Sequence, residues 1–278
     1  MKSVITAAGK GIRLLPATKE TPKEMMPIFT KISTHERVVT PLLQFIFEQL
    51  FSLKIRDYCF VVGRGKRSIE DHFTPHHSYL NELTGKYKIL LANFYKKLEN
   101  SHLIWINQNK PEGFGDAVKR AERYIGTDNF IVHGGDVAIL SRTKHPIVRL
   151  AETAAKNSSV SAVLFCKKVK NPRRYGVPKI TKITNSLFTV TEIEEKPIKP
   201  KSNLAILPLY YFKPEIFDCL KKIKRGKGNE FQLTDAIQKL IDQGNQVIAI
   251  PMLEQELEID VGTVESYRHA LEISYKKA

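Results

Sequence analysis

A glycine-bearing basic loop follows the first apolar segment of the chain. The stretch AAGKGIRLLPATKETPKEMMP, residues 7–27, contains Gly9, Gly11, Arg13 and Lys23. Glycines without a Cβ let backbone amides approach phosphate oxygens, and an arginine fork with a lysine point charge suits a polyphosphate. The spacing matches neither the Walker loop nor the dinucleotide-binding fingerprint. A flexible surface turn needs the same glycines, so the pair alone does not identify a phosphate site.

The segments that position this loop alternate between strand-like and helix-like patterns. Strands are predicted at residues 2–6, 58–63, 102–108 and 129–136, and helices at 40–53, 68–73, 79–99, 115–125 and 146–157. Such alternation predicts right-handed crossovers and a mostly parallel sheet with helices on both faces. Ligands bind such sheets at the carboxyl ends of the strands, where residues 8–13, Gln108 and Asp136 fall. Thr40 is predicted to cap the first helix, with Pro41 at its first position.

From residue 159 the pattern changes to consecutive strands. Strands are predicted at 159–169, at 175–197 with a hairpin near Asn185 and Ser186, at 203–212 and at 246–251, and helices at 230–243 and 264–277. No repeat, low-complexity segment or linker separates the two parts of the sequence. We therefore predict one α/β domain over residues 1–278. It combines a Rossmann-like mixed, mostly parallel sheet in 1–158 with a β-rich substrate-binding portion in 159–278.

Charge and composition limit the classes of possible function but do not identify one. The 278 residues carry 44 lysines and arginines against 29 aspartates and glutamates, a net charge of +15. Such an excess favours nucleic acid, an anionic membrane surface or phosphorylated small molecules as partners. No apolar run reaches the roughly 18 residues of a membrane span, and the N-terminus turns polar too early for a secretory signal. We therefore expect a cytoplasmic protein, with Cys59, Cys166 and Cys219 as buried free thiols.

The glycine-bearing loop resembles a known signature. AAGKGIRLLPATKETPKEMMPI is similar to the first motif of the nucleoside-diphosphate-sugar pyrophosphorylases, a nucleotidyltransferase family. The uridylyltransferase branch, which acts on UTP and glucose 1-phosphate, ends this motif in Pro-Lys-Glu-Met-Leu-Pro, whereas the thymidylyltransferase branch tends to carry Lys-Gln-Leu-Leu. Glu24 and Met25 therefore favour the uridylyl branch. The resemblance implies nucleotide contacts from Ala7, Ala8, Gly9, Gly11 and Glu24, and catalytic roles for Arg13 and Lys23.

Three later segments extend the resemblance to the base and the metal. QNKPEGFGDAV is similar to the family's base-recognition loop, in which Gln108 and Gly113 would contact the pyrimidine. An amide offers both a donor and an acceptor, which match the O4 and N3–H edge of uracil. GGDVAIL and EIDVG are similar to segments that supply two metal-binding aspartates, here Asp136 and Asp260. Two carboxylates with phosphate oxygens and water suit Mg²⁺, the expected cofactor, although each residue alone is more often an ordinary surface side chain.

Two motifs in the second half resemble the family's sugar-phosphate site. RRYGVPK supplies Gly176, beside which the hexose would approach the backbone. EEKP supplies Glu195 for the sugar hydroxyls and Lys196, also expected to be catalytic, for the sugar phosphate. The segment TKISTHERVVTPLLQF is longer than in the family, and Pro178 within a predicted strand implies an edge or a bulge. These departures leave the choice of sugar phosphate open.

The resemblance implies one reaction and leaves two alternatives. The expected reaction transfers a uridylyl group from UTP to glucose 1-phosphate, in a homodimer or homotetramer that binds neither nucleic acid nor membrane. No side chain has to act as nucleophile or base, because the attacking phosphate is already anionic. One alternative is a thymidylyltransferase that uses dTTP. The other is a non-catalytic relative that binds nucleotide or RNA. The net charge of +15 favours this alternative, but a non-catalytic relative would be expected to lack some of the charged site residues, and all of them are present.

Two basic segments stand outside this pattern. VVGRGKRSIEDHF, residues 61–73, looks like a second phosphate loop but is interpreted as a basic surface turn followed by a helix. The segment 85–103 mixes apolar and basic residues. It is interpreted as an amphipathic helix or part of a subunit interface, with contact to a membrane or a partner helix as the alternative.

Overall fold

One mixed sheet forms the centre of the protein. A computed structural model describes residues 1–33, 36–184 and 186–278. The strands are β1 (Lys2–Ala7), β2 (Pro27–Ser33), β3 (Glu36–Pro41), β4 (Asp57–Gly63), β5 (His102–Gln108), β6 (Phe130–Gly134), β7 (Val137–Leu140), β8 (Val160–Lys168), β9 (Gly176–Thr184), β10 (Leu187–Glu195), β11 (Leu204–Phe212), β12 (Gln246–Pro251) and β13 (Leu257–Asp260). The helices are α1 (Leu42–Ser52), α2 (Arg67–His72), α3 (His77–Glu82), α4 (Gly85–Glu99), α5 (Phe114–Arg120), α6 (Glu122–Ile125), α7 (Pro146–Ala155), α8 (Ile216–Lys222), α9 (Leu233–Asp242) and α10 (Val264–Lys277). Over the described residues, nine strands form one sheet in the order β5–β4–β1–β6–β11–β8–β12–β10–β9.

The direction of the strands differs between the two halves of this sheet. β5, β4, β1 and β6 pair in parallel, as their alternation with helices predicts. β11 pairs antiparallel with β6 and β8, and β12 pairs parallel with β8. β10 pairs antiparallel with both β12 and β9. The predicted Rossmann-like mixed sheet is confirmed, and its parallel pairing is concentrated in residues 1–158.

Helices cover both faces of the sheet. Successive residues of a strand point to opposite faces, so Phe60 of β4 joins the core under α1, α4 and α7, while Val61 joins the core under α5, α8 and α9. Both side chains are fully buried. Within the described ranges, no helix has the length and apolar character needed to cross a membrane.

The cysteines lie in the core as predicted. Cys59, Cys166 and Cys219 are all buried and free. Burial raises the pKa of Cys59 and of Cys166 to about 12. These two thiols therefore stay protonated at neutral pH and act as small apolar side chains.

The segment after the glycine-bearing loop is a hairpin that the sequence does not predict. β2 and β3 pair antiparallel, with Pro27 opposite Pro41. Thr40 therefore belongs to a strand, where its Oγ1 lies 2.6 Å from Oγ1 of Thr30. The predicted cap of α1 is wrong, because Pro41 holds the N-cap position without a side-chain hydrogen bond. Tyr267 of α10 donates a hydrogen bond to the carbonyl of Pro27 at 3.1 Å, so the C-terminal helix packs against this hairpin.

Other differences concern short elements. α8 and the pairing of β7 with β13 are not predicted, and the single helix predicted at 115–125 is divided into α5 and α6. The edge strand implied by Pro178 is confirmed, because β9 is the last strand of the sheet. The hairpin turn predicted at Asn185 lies outside the described residues, while Thr184 and Leu187 on either side of it pair across β9 and β10.

Candidate active site

A cleft of about 200 Å³ opens where β1, β4 and β5 end. Its walls come from the loops that follow these strands, as predicted for a parallel sheet. The lining residues are Ala8, Gly9, Lys10, residues 18–22, residues 63–66, Gln108, Asn109 and Pro111. The predicted phosphate loop and the predicted base residue therefore face one cavity.

Two glycines shape the loop after β1. Gly11 has a φ of 67°, in the left-handed region, and a Cβ there would lie 3.0 Å from the Cβ of Thr18. The hydroxyl of Thr18 donates a hydrogen bond to the carbonyl of Gly11 at 2.7 Å, which ties the two ends of the loop. A Cβ on Gly9 would lie 3.4 Å from Cε of Lys23, an ordinary contact distance, so Gly9 lies directly beside this lysine. Ala7 is fully buried at the end of β1, and its contact with nucleotide stays a prediction.

The basic residues of the loop lie beside two aspartates. Lys23 forms an ion pair with Asp136. Burial lowers the pKa of Lys23, but the neighbouring carboxylates outweigh burial and the pKa is raised overall. For Asp136 the two effects have the opposite sign. Burial alone would raise the pKa of this carboxyl, but the charge of Lys23 outweighs burial, and the net result is a lowered pKa. A Cβ built on Gly262 would lie 2.9 Å from Oδ1 of Asp260 and 3.6 Å from Nη2 of Arg13, so these two side chains share one corner.

A two-stranded sheet that the sequence does not predict brings the aspartates together. β13 pairs antiparallel with β7, which places Asp260 opposite Val137, the residue after Asp136. The backbone N–H of Val261 donates a hydrogen bond to the carbonyl of Asp136 at 3.1 Å. Burial raises the pKa of Asp260, and the charges of Asp136 and Glu258 raise it further. The two residues predicted to bind metal are therefore electrostatically coupled neighbours.

This aspartate pair fits a divalent cation that takes its other ligands from phosphate and water. Across the residues that the structure describes, no group of three or more His, Cys, Asp or Glu side chains could hold a metal ion. Mg²⁺ usually binds one or two carboxylates together with substrate phosphates and water molecules. A carboxylate whose pKa is raised by a second carboxylate also gains from a cation between them. Asp136 and Asp260 are therefore suited to bind such an ion together with a phosphate group.

Gln108 ends β5, and its amide is held by the segment that follows. Its Nε2 donates hydrogen bonds to the carbonyl of Gly113 at 3.1 Å and to Oδ2 of Asp116 at 2.8 Å. Both N–H groups of this amide therefore have acceptors inside the protein, and the predicted contact between Gln108 and the base stays a prediction. Gly113 has a φ of 117°, and a Cβ there would lie 2.6 Å from the carbonyl oxygen of Phe231. Only glycine fits at this point of the loop.

A buried ion pair links the phosphate loop to the second glycine-containing turn. Glu24 is 1% exposed, and its Oε2 lies 2.7 Å from Nζ of Lys66, which is 7% exposed. Burial raises the pKa of Glu24, and the charge of Lys66 opposes that shift. The interpretation of residues 61–73 as a surface turn is therefore wrong for Lys66, because a buried carboxylate requires a counter-ion. The contact of Glu24 with nucleotide stays a prediction.

The predicted sugar-phosphate residues lie together at one end of β9 and β10. Gly176 pairs opposite Glu195, whose Oε1 lies 3.2 Å from Nζ of Lys196. The hydroxyl of Thr234 donates a hydrogen bond to Oε2 of Glu195 at 3.1 Å, and a Cβ on Gly176 would lie 2.6 Å from Cγ2 of Thr234. Lys196 has a φ of 45°, held by a hydrogen bond from its N–H to the carbonyl of Tyr175 at 2.9 Å. A left-handed residue other than glycine costs roughly 1–2 kcal/mol, and such strain is concentrated at functional sites.

Three residues that position the predicted side chains are not singled out by the sequence: Asp116, Thr234 and Lys66. Asp116 lies in the first turn of α5 and Thr234 in the first turn of α9. A polar side chain at the start of a helix can reach the end of a neighbouring strand, and this position is the signal that would have identified both. Lys66 also lies at the start of a helix, as the N-cap residue of α2, but no local pattern connects it to Glu24, which belongs to a different loop.

Nearly the whole chain is similar to known proteins. The sequence profile described as nucleotidyl transferase matches residues 2–276. The UTP–glucose-1-phosphate uridylyltransferase of Bacillus subtilis strain 168 is 38% identical over 242 residues, covering 86% of this chain and 80% of the relative. UTP–glucose-1-phosphate uridylyltransferase 1 of Staphylococcus saprophyticus is 36% identical over 244 residues, covering 86% of this chain and 81% of the relative. A crystal structure of UDP-glucose pyrophosphorylase complexed with UDP-glucose matches with a TM-score of 0.84 and 29% identity, covering 100% of this chain and 99% of that chain. The chain therefore belongs to the nucleotidyl transferase family.

Proposed function

We propose that this protein transfers a uridylyl group from UTP to glucose 1-phosphate, giving UDP-glucose and pyrophosphate. The relatives described above carry this activity in their names. The observation that carries the proposal is the corner beside the cleft, where Lys23 and Arg13 meet Asp136 and Asp260. Cations mixed with carboxylates suit a triphosphate that arrives with a metal ion. A surface for RNA would instead present basic residues without such a carboxylate pair.

The two halves of the chain take different substrates in this proposal. Residues 1–158 bind UTP, with its phosphates on the Gly9–Gly11 loop and its base near Gln108 and Gly113. Residues 159–278 bind glucose 1-phosphate through the cluster of Gly176, Glu195 and Lys196. The Nζ of Lys196 is available for a phosphate, because its side chain is 44% exposed. Glu195 is fixed on both oxygens and can orient a sugar hydroxyl.

The chemistry is an in-line displacement at phosphorus. A phosphate oxygen of glucose 1-phosphate attacks the α-phosphorus of UTP, the bond from that phosphorus to the β-phosphate oxygen breaks, and pyrophosphate leaves with the electron pair. Lys196 positions the attacking phosphate, while Arg13 and Lys23 stabilise the charge that develops on the leaving group. No side chain accepts a proton, since the attacking oxygen is already ionised.

A divalent cation completes the charge balance of this site. Members of this family generally use a divalent metal. We propose Mg²⁺, with Asp136 and Asp260 as its protein ligands, and its role when bound is to neutralise the phosphates that react. A homodimer or homotetramer and a cytoplasmic location stay predictions.

A pyrophosphate-release assay tests the proposal. Purified protein with Mg²⁺ is combined with each nucleoside triphosphate and a panel of sugar 1-phosphates, and turnover is expected with UTP and glucose 1-phosphate. A preference for dTTP would assign the protein to thymidylyl transfer, and no turnover with any pair would refute the enzymatic proposal.

Substitution of Asp136 tests the role of the carboxylate pair. Asp136→Asn is expected to lower kcat by a factor on the order of 100 or more while the fold is kept, as circular dichroism would show. Asp218→Asn is the matched control, because this aspartate is 69% exposed on α8, outside the site. Near-normal turnover in Asp136→Asn would mean that the metal ligand lies elsewhere.

A further inference from the structure

We propose that Asp116 fixes the side-chain amide of Gln108 so that its carbonyl oxygen, and never its NH₂ group, faces the base. Asp116 is thereby a positioning residue that makes the site selective for bases with an N–H group at this point. The proposal rests on the proposed function in one respect, namely that Gln108 meets the base of the nucleotide.

The amide of Gln108 has used all of its donor capacity inside the protein. A glutamine NH₂ group carries two N–H bonds. One is donated to the carbonyl of Gly113 and the other to Oδ2 of Asp116. Gln108 is 4% exposed and lines the cleft. In the described part of the chain no donor reaches its Oε1, so an unpartnered acceptor remains on a nearly buried side chain at the cleft wall.

The orientation of this amide follows from the groups around it. Rotation by 180° would place Oε1 of Gln108 against two acceptors, the carbonyl of Gly113 and Oδ2 of Asp116, and leave the NH₂ group without these partners. Oδ2 cannot change role, because it also accepts a hydrogen bond from Nε of Arg120 at 2.9 Å. Arginine is always a donor. Arg120 lies one turn after Asp116 on α5, so the carboxylate is held from within its own helix.

An acceptor at this position discriminates between pyrimidines. Uracil and thymine carry a hydrogen on N3, which can be donated to Oε1 of Gln108. The N3 atom of cytosine is an acceptor, and two acceptors facing each other in a nearly buried site are unfavourable. The protein should therefore bind UTP in preference to CTP because of the Asp116–Gln108 contact. The same contact cannot separate UTP from dTTP, so that choice depends on other residues.

Two substitutions at position 116 test the inference. Asp116→Ala removes the acceptor that fixes Gln108, and the ratio of kcat/KM for UTP to kcat/KM for CTP is expected to fall by about tenfold, the worth of one hydrogen bond. Asp116→Asn keeps an oxygen that can accept from both Gln108 and Arg120, and should retain most of the wild-type ratio. A merely structural role would lower both kcat/KM values together in Asp116→Ala, and an unchanged ratio would overturn the proposal.

Calorimetric titration with UTP and CTP separates this inference from the proposed reaction. Wild-type protein that binds UTP at least about tenfold more tightly than CTP supports the inference, whether or not it turns over. Equal affinities in the wild type would overturn it without reference to any variant. Selective binding of UTP with no pyrophosphate release would refute the proposed reaction alone, and binding of neither nucleotide would refute both.

Discussion

The ion pair between Lys23 and Asp136 predicts that Lys23→Met raises the affinity of the nucleotide-free protein for a divalent cation. A cation that binds Asp136 competes with the ammonium group of Lys23 for the same carboxylate. A hydrogen bond to a charged group is worth about 1.5–3 kcal/mol, which corresponds to roughly 10–150-fold in an equilibrium constant. The two side chains are 15% and 24% exposed, so water weakens the contact in part. We therefore expect an increase of about tenfold, at the lower end of this range.

The affinity can be measured with Mn²⁺, whose free concentration is read by electron paramagnetic resonance. Lys31→Met is the control, because it removes an exposed charge from neighbouring β2. The same Lys23→Met variant should bind UTP more weakly than wild type, because a cation that stabilises the phosphates is lost. The two affinities therefore change in opposite directions. An unchanged or weaker Mn²⁺ affinity in Lys23→Met would refute the view that Lys23 and the metal ion compete for the carboxylate of Asp136.

Two further predictions concern stability, measured by urea unfolding. Lys66→Met leaves the carboxylate of Glu24 buried without its partner and should lower the free energy of unfolding by about 3 kcal/mol, and adding Glu24→Gln should recover most of this. A loss below about 1 kcal/mol, or no recovery, would contradict the buried pair. Burial lowers the pKa of His72 to about 4, whereas a histidine in an unfolded chain has a pKa near 6.5. As the pH is lowered from 7 to 5, the unfolded chain therefore binds the proton first. This residue alone should then lower the free energy of unfolding by about 2 kcal/mol. In His72→Phe, the free energy of unfolding should therefore change less between pH 7 and pH 5, by about 2 kcal/mol. A change as large as in the wild type would contradict a neutral His72 in the folded protein.

Sequence patterns predict the elements and most of the site because both depend on local signals. Strand β4 is a short apolar run, and the loop after β1 carries a family signature in consecutive residues. The carboxyl ends of parallel strands share one edge of a sheet, so residues as distant as Gly9 and Gln108 could be assigned to one cleft. The structure places both in its lining.

The contacts that fix the site residues depend on packing between distant segments. Lys66 reads as a surface lysine, and only the buried carboxylate of Glu24 explains its burial. Gly176 was expected to admit the sugar, but the structure shows that packing against Thr234 already requires glycine there. The pairing of β13 with β7 lacks a sequence signal because both strands are short, although it decides where Asp260 lies.

The late position of β13 and β11 in the chain has a consequence for synthesis on the ribosome. A nascent chain that has not reached Leu204 holds the Gly9–Gly11 loop and Asp136, but β6 still lacks its antiparallel neighbour β11. The second carboxylate arrives only with Asp260, directly before α10, whose Tyr267 anchors the hairpin next to the Lys23 loop. Incomplete chains therefore carry the phosphate loop without the carboxylate pair. Catalytic competence is therefore acquired only after Asp260 has been synthesised and β13 has paired with β7.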